Sequence, residues 1–198
     1  SPPQALRPAN GTPVPFTPAG RSEYDSYVSG LKSGKIEDST RKYCLPDGIP
    51  RLLTAPFPFE VVHTPGQVTF LHEARHVYRA VPIDGMHINA DLLIESYMGD
   101  AVGRWDGDTL VINSLGFNTE TRLDPSGLPH SGKLQVSERW RRIDGGKRLQ
   151  ADITIEDPDV YTAPWTTRLT FASRNDLKIE EYVCGTKHRD LTQSGVAK

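Results

Sequence analysis

Short runs of strand-forming residues, separated by turn signals, recur along the chain from about residue 57 onward, and no other feature constrains the fold as much. The sharpest example is Asp106-Gly107, which stands between a β-rich run at 102–105 and another at 109–112. An Asp-Gly pair in this setting is a strong hairpin signal, because glycine supplies the positive φ that tight hairpin turns need. The pattern therefore predicts a sheet of neighbouring antiparallel strands.

The other predicted strands also follow one another with short reversals between them. The runs are 59–63, 67–81, 134–143, 148–155, 166–173 and 177–184. The reversals are Thr64-Pro65-Gly66, Ile83-Asp84-Gly85, Asp144-Gly145-Gly146 and Arg174-Asn175-Asp176. About eight consecutive strands predict an all-β, mainly antiparallel fold, a β-barrel or barrel-like sandwich built as a meander of the lipocalin kind. The 17 glycines and 16 prolines among 198 residues agree with many turns.

The N-terminal stretch has a different composition from the rest of the chain. Residues 1–21 are rich in proline and poor in apolar partners, which predicts an extended arm on the surface or a tether. Ser22 can cap a short helix and Gly34 can end it. The apolar side chains of that helix recur at helical spacing at Tyr24, Tyr27, Val28 and Leu31. Residues 22–198 are predicted to form a single β domain.

Charge and hydropathy exclude two classes of partner. The formal net charge of -2 gives no basic field for nucleic acid, and Arg139, Arg141 and Arg142 fit the solvated face of a strand. No apolar run reaches the length of about 18 residues that a membrane span requires. We therefore expect neither nucleic-acid binding nor a membrane span.

The only cysteines, Cys44 and Cys184, stand near the two ends of the predicted β domain. We predict that they form a disulfide, which would be typical of an exported protein. The alternative is a pair of buried free thiols.

Five groups of residues carry a resemblance to a known family. They are Gly103-Arg104-Trp105-Asp106-Gly107-Asp108-Thr109-Leu110-Val111-Ile112, Gly116-Phe117-Asn118, Pro129-His130-Ser131, Glu138-Arg139 and Glu181-Tyr182-Val183-Cys184. Together they resemble a family of uncharacterised exported bacterial proteins, over residues 43 to 190. The resemblance implies a β domain and a secreted or periplasmic location. It implies no particular reaction, so the chemistry must be inferred from the residues.

The segment His72-Glu73-Ala74-Arg75-His76 matches the H-E-x-x-H pattern of zinc metallopeptidases, and Glu95 resembles their downstream ligand. The pattern works on a helix, where residues four apart lie about 6 Å apart and can share one ion. On a strand the two histidines would lie about 13 Å apart. The β context favours a strand for residues 67–81. A zinc-dependent hydrolase with ligands His72, His76 and Glu95 is thus an alternative, and no cofactor is expected otherwise.

As a strand, residues 67–81 would present polar side chains on both faces. One face would carry His72, Ala74, His76 and Tyr78, and the other Glu73, Arg75, Val77 and Arg79. Later strands offer partners for the side chains that face inward, namely Glu138, Arg139, Arg141 and Asp152. A pocket histidine beside a carboxylate can act as a general base, so Glu73 and His76 are the candidate catalytic pair. Arg104 or Asn118 would stabilise developing negative charge.

A long polar connection at 116–131 is predicted to form the mouth of a pocket, because functional groups concentrate in such loops. Ordinary turn capping is the alternative for Asn118 and Asp124. Tyr161 and Trp165 could stack on an aromatic ligand or belong to the core. The predicted substrate-binding residues are His72, Tyr78, Asp124, His130, Glu138, Tyr161 and Trp165.

These observations predict a pocket for a small apolar or aromatic molecule. The leading hypothesis is a cofactor-free acid-base enzyme of the isomerase, lyase or cyclase type. The alternatives are a non-catalytic binding or carrier protein and the zinc-dependent hydrolase. The oligomeric state stays open, a homodimer included.

Overall fold

The strands form two antiparallel sheets in the computed structural model, which describes residues 5–184. The three-stranded sheet contains β1 (Phe59–Thr64), β2 (Gln67–His72) and β3 (Tyr78–Pro82). The five-stranded sheet contains β4 (Asp100–Asp106), β5 (Thr109–Leu115), β6 (Gln135–Ile143), β7 (Arg148–Glu156) and β8 (Trp165–Ala172). In both sheets the strands lie side by side in chain order. The all-β prediction is confirmed, and the architecture is the sandwich rather than a closed barrel.

The predicted hairpin at Asp106-Gly107 is confirmed. Asp106 pairs with Thr109, and the two residues between them form the loop, where Gly107 has a φ of +58°. Glycine is favoured at this position because a side chain would be strained at that φ.

The five-stranded sheet has one apolar face and one charged face. On β6, Val136, Glu138 and Trp140 are buried, whereas Arg139 and Arg141, which alternate with them, are exposed. Asp152 belongs to the exposed face of β7, where it pairs with Arg141 and Arg168. The prediction that Arg139, Arg141 and Asp152 serve interior polar groups is therefore wrong, because strand alternation points them to solvent. Of the four predicted partners, Glu138 alone lies inside.

The apolar faces of the two sheets pack together through aromatic rings. The Phe59 ring lies 4.9 Å from that of Phe171, and the Phe70 ring lies 5.1 Å from that of Trp140, measured between centroids. The sheets also meet where Ile83, just after β3, bridges to Gly103 of β4. A Cβ at Gly103 would lie 2.9 Å from the side-chain end of Ile83, so a larger residue here would require Ile83 to shift.

The prediction of one continuous strand over 67–81 is wrong. The chain reverses between β2 and β3, where Arg75 and His76 adopt left-handed φ values of 63° and 48°. His72 donates its N–H to the Val77 carbonyl at 2.9 Å, which closes the reversal. In one continuous strand, His72 and Arg79 would lie on opposite faces. Because the chain reverses instead, Arg79 pairs with Phe70 on the neighbouring strand, and His72 and Arg79 both face the interior.

The predicted strand at 177–184 is also absent, and we call this extended segment the C-terminal strap. Its backbone bonds to side chains instead of to a neighbouring strand. Glu180 donates its N–H to the Glu73 carboxylate at 2.9 Å, and Tyr182 donates its N–H to His76 Nε2 at 2.6 Å. These contacts anchor the strap to the reversal between β2 and β3.

The N-terminal region packs against one end of the sandwich. Over its described part, the proline-rich arm lies on the domain: Leu6 is buried, and Ala9 donates its N–H to Thr166. The first helix, α1, spans Pro18–Lys32 and begins earlier than predicted, because Thr17 and not Ser22 is the N-cap. The remaining helical segments are α2 (Ser39–Lys42) and short 3-10 turns at Arg51–Thr54, Ala74–His76 and Asp144–Gly146.

The predicted disulfide between Cys44 and Cys184 is present. It joins the end of the strap to the segment that follows α2. Such a bond is compatible with an extracellular location. Within the described range, none of the helices combines the length and apolar character that crossing a membrane would take.

Candidate functional site

A cleft of about 1490 Å³ opens between the two sheets. Four aromatic side chains lie at its base, and we call them the aromatic floor: Phe59, Phe70, Trp140 and Phe171. Val68, Leu110 and Leu149 continue this apolar surface. The C-terminal strap contributes Leu177, Lys178 and Ile179 to the wall. The cleft is larger than the range of about 300 to 1,000 Å³ that is usual for small-molecule sites, and it has the largely apolar base of such a site.

The cleft exists because the sheets diverge at this end of the sandwich. Val61 on β1 pairs with the buried Phe70, and Trp105 on β4 pairs with the buried Leu110. Paired residues share a face of the sheet, so Val61 and Trp105 both belong to inner faces. They are nevertheless 40% and 43% exposed. Across the mouth, the His63 ring lies 5.4 Å from that of Trp105. Inner-face residues that the opposite sheet leaves uncovered are available to a ligand.

A buried ion pair lies directly behind the aromatic floor. The Arg79 guanidinium donates to Glu138 Oε1 at 2.6 Å and to Ser114 Oγ at 2.7 Å. The second oxygen of Glu138 accepts the indole N–H of Trp140 at 2.9 Å. Glu138 is fully buried and Arg79 nearly so. The ion pair therefore orients the Trp140 ring that lines the cleft.

His72 lies beside this ion pair and is neutral at physiological pH. Burial lowers the pKa of His72 to about 4, and the positive charge of Arg79 acts in the same direction. Its ring lies 5.4 Å from that of Phe59. Among residues 5–184, His72 Nε2 has no hydrogen-bond partner. A proton on this ring would be strongly disfavoured in the folded state.

This low pKa predicts how stability changes with pH. Below the ordinary pKa of 6.5 the unfolded chain takes up a proton at His72 that the folded chain does not, so acid favours unfolding. We expect the free energy of unfolding to fall by about 3 kcal/mol through His72 alone between pH 6.5 and pH 4. Urea denaturation at several pH values measures this slope.

The control variants for this prediction are His72→Phe and His63→Phe. In His72→Phe, most of the dependence of the unfolding free energy on pH should be lost. Part of what remains should come from His130, whose pKa is also lowered by burial. His63 is exposed at the mouth, so its variant should keep the slope of the natural sequence. An unchanged slope in His72→Phe would show that His72 protonates freely in the folded protein.

The structure places the predicted catalytic residues outside the cleft. Glu73 and His76 bond to the backbone of the strap at residues 180–182. Arg104 is exposed on the outer face of β4, since it alternates with Trp105. Asn118 caps its own turn by accepting the N–H of Glu120 at 3.2 Å. Only Glu73 and His76 are brought together.

The predicted binding residues of the 116–131 connection lie inside the protein. Asp124 is fully buried and accepts backbone N–H groups from Leu6, Ser126 and Gly127. These bonds attach the N-terminal arm to the connection, so the role of Asp124 is structural. His130 is buried, and burial lowers its pKa. None of the residues of the connection lines the cleft within the described part of the chain.

The remaining predicted binding residues are divided between core and surface. Tyr161 and Trp165 are buried against each other with ring centroids 5.6 Å apart, and Tyr161 donates its hydroxyl to the Pro129 carbonyl. They belong to the core at the end opposite the cleft. Tyr78 is exposed at the start of β3. His72 and Glu138 are the two predicted residues that lie next to the aromatic floor.

The zinc hypothesis required an α-helix over residues 72–76, but the structure has only a short 3-10 turn at Ala74–His76. His72 ends β2 and faces the interior, whereas His76 follows the reversal and bonds to the strap. Glu95 lies in the connection between β3 and β4, with its carboxylate against Gly132. Within the described range, no three His, Cys, Asp or Glu side chains are grouped so that they could hold a metal ion.

Sequence reasoning missed most of the residues that line the cleft. The signal was present in β1, where Phe59, Val61 and His63 share one face of the strand by alternation. It was present again in β6, where Trp140 and Arg142 share a face. What the sequence could not supply was the place where the two sheets separate.

Comparison with known protein families, with curated proteins and with solved structures gave no match. The resemblance to the exported bacterial family therefore remains a prediction.

Proposed function

We propose that this chain binds a small apolar or aromatic molecule in the cleft between its sheets and releases it unchanged. The observation that carries the proposal is the exposure of inner-face side chains, Val61 and Trp105, above an aromatic floor. In a closed sandwich these positions would be covered by the opposite sheet. Apolar surface left open in this way gains about 25 cal/mol for each Å² that a ligand removes from water.

Binding without turnover has better support than acid-base catalysis. Glu73 and His76 are occupied by hydrogen bonds to the strap, and Arg104 points away from the cleft. The ion pair of Arg79 and Glu138 is buried behind the floor, where both oxygens of Glu138 accept hydrogen bonds, one from Arg79 and one from Trp140. These contacts give the polar groups structural roles, whereas the base of the cleft is formed by aromatic side chains. We also propose a secreted or periplasmic location, which the disulfide supports.

The fluorescent probe 8-anilinonaphthalene-1-sulfonate tests this proposal, because its fluorescence rises when its rings enter an apolar site. The natural sequence should bind it saturably. Val61→Trp would fill the mouth of the cleft and should weaken the affinity about tenfold or more, since a tenfold loss needs only about 1.4 kcal/mol. A fluorescence titration at neutral pH, in the absence of denaturant, measures the dissociation constant.

Val62→Trp is the matched control, because it places the same side chain on the same strand but on the opposite face. Val62 does not line the cleft. Its variant should bind the probe like the natural sequence. Equal affinities in all three proteins would place the probe elsewhere and contradict the proposal.

A further inference from the structure

The residues that line the cleft include both cations and carboxylates. The cations are Arg141, Arg142, Arg148, Arg174 and Lys178, of which Arg141 belongs to the outer face of β6. The acidic residues are Glu60 and Asp108.

Three of the five cations already have carboxylate partners. Arg141 lies 3.8 Å from Asp152, Arg148 pairs with Asp144, and Arg174 pairs with Asp176. The other two, Arg142 and Lys178, have no carboxylate within ion-pair distance among residues 5–184. Both are exposed. Their charges are therefore available to an anion in the cleft.

The two unpaired cations lie at the edge of the apolar surface. Arg142 follows Trp140 by two residues on β6 and so belongs to the same face, with Leu149 as its cross-strand partner. Phe171 pairs in turn with Leu149 and stacks on Trp140 at 5.7 Å. Lys178 contributes to the lining from the strap. A molecule with its apolar part on the floor would bring its polar end to these cations.

We infer that the ligand is an amphiphilic anion, with an apolar or aromatic body and a carboxylate as its head group. The inference rests on the proposed function and adds the chemical class of the ligand. The body contacts the aromatic floor, and the carboxylate accepts hydrogen bonds from Arg142 and Lys178 at the solvent-exposed mouth. Because the head group stays in water, its charge is not desolvated and its contribution should weaken with salt.

The test compares decanoate with decan-1-ol, which have the same number of carbon atoms and differ in the charge of the head group. Calorimetric titration at low ionic strength should show that decanoate binds about tenfold more tightly than the alcohol. Added salt should reduce this preference. In the double variant Arg142→Gln/Lys178→Gln the two compounds should bind equally, and the affinity for decan-1-ol should be unchanged.

Arg139→Gln is the control variant, because it removes a positive charge from the outer face of the same strand. It should keep the preference for decanoate. If the natural sequence binds both compounds equally, the ligand is not selected by charge; this inference then fails while the proposed cleft stands. If neither compound binds, the proposed function fails with it.

Discussion

Removal of the Cys44–Cys184 disulfide should lower the free energy of unfolding by about 5 kcal/mol. The bond joins residues 140 positions apart, and closing so long a loop restricts the unfolded chain strongly. It also fixes the end of the strap, whose residues 177–179 line the cleft. Urea denaturation of Cys44→Ser/Cys184→Ser beside the oxidised natural sequence gives the difference directly.

Two controls separate the disulfide from general effects of substitution and reductant. A thiol reductant should destabilise the natural sequence and leave the double variant unchanged. Binding of the anilinonaphthalene probe should also weaken in the variant, because the strap is then held by noncovalent contacts alone, such as those from Glu73, Arg75 and His76. Equal unfolding free energies would mean that these contacts, and not the disulfide, determine stability.

Breaking the buried ion pair should have an effect of similar size. Glu138→Leu leaves the Arg79 guanidinium charged, buried and without its carboxylate, and losing one partner of a buried pair costs about 3 to 5 kcal/mol. Because Glu138 also accepts the Trp140 N–H, the variant should disturb the aromatic floor. Chemical denaturation measures the loss of stability, and the tryptophan fluorescence spectrum, to which Trp140 contributes together with Trp105 and Trp165, reports the change at the floor.

The double variant Arg79→Met/Glu138→Leu should recover most of that stability, because neither charge then remains in the core. Arg139→Ala is the surface control. Its partner is Asp106, both side chains are about half exposed, and its loss should matter little. The account of the interior would be wrong if Glu138→Leu were no more harmful than Arg139→Ala.

The sequence predicted the fold well because strands and turns are local signals. The Asp106-Gly107 pair predicted a hairpin from neighbouring residues alone. The disulfide could likewise be predicted, since two cysteines allow only one pairing. These predictions did not depend on how the sheets pack.

The site was less predictable because it depends on long-range packing. Residues 67–81 read as one strand, but the left-handed turn at Arg75 and His76 changes which side chains face inward. Asp124, Tyr161 and Trp165 looked suited to a ligand, yet contacts with Leu6, Pro129 and each other place them in the core. Conversely, Val61 and Trp105 belong to the cleft only because the two sheets separate there. No local pattern encodes that separation.

The most direct test of the central claim is to locate the bound anilinonaphthalene probe by intermolecular nuclear Overhauser effects in solution. The account predicts effects between the aromatic protons of the probe and side chains of the cleft, namely Val61, Trp105, Trp140 and Phe171. Effects confined to other surfaces, such as α1 or the outer face of β6, would contradict the assignment of the inter-sheet cleft as the ligand site.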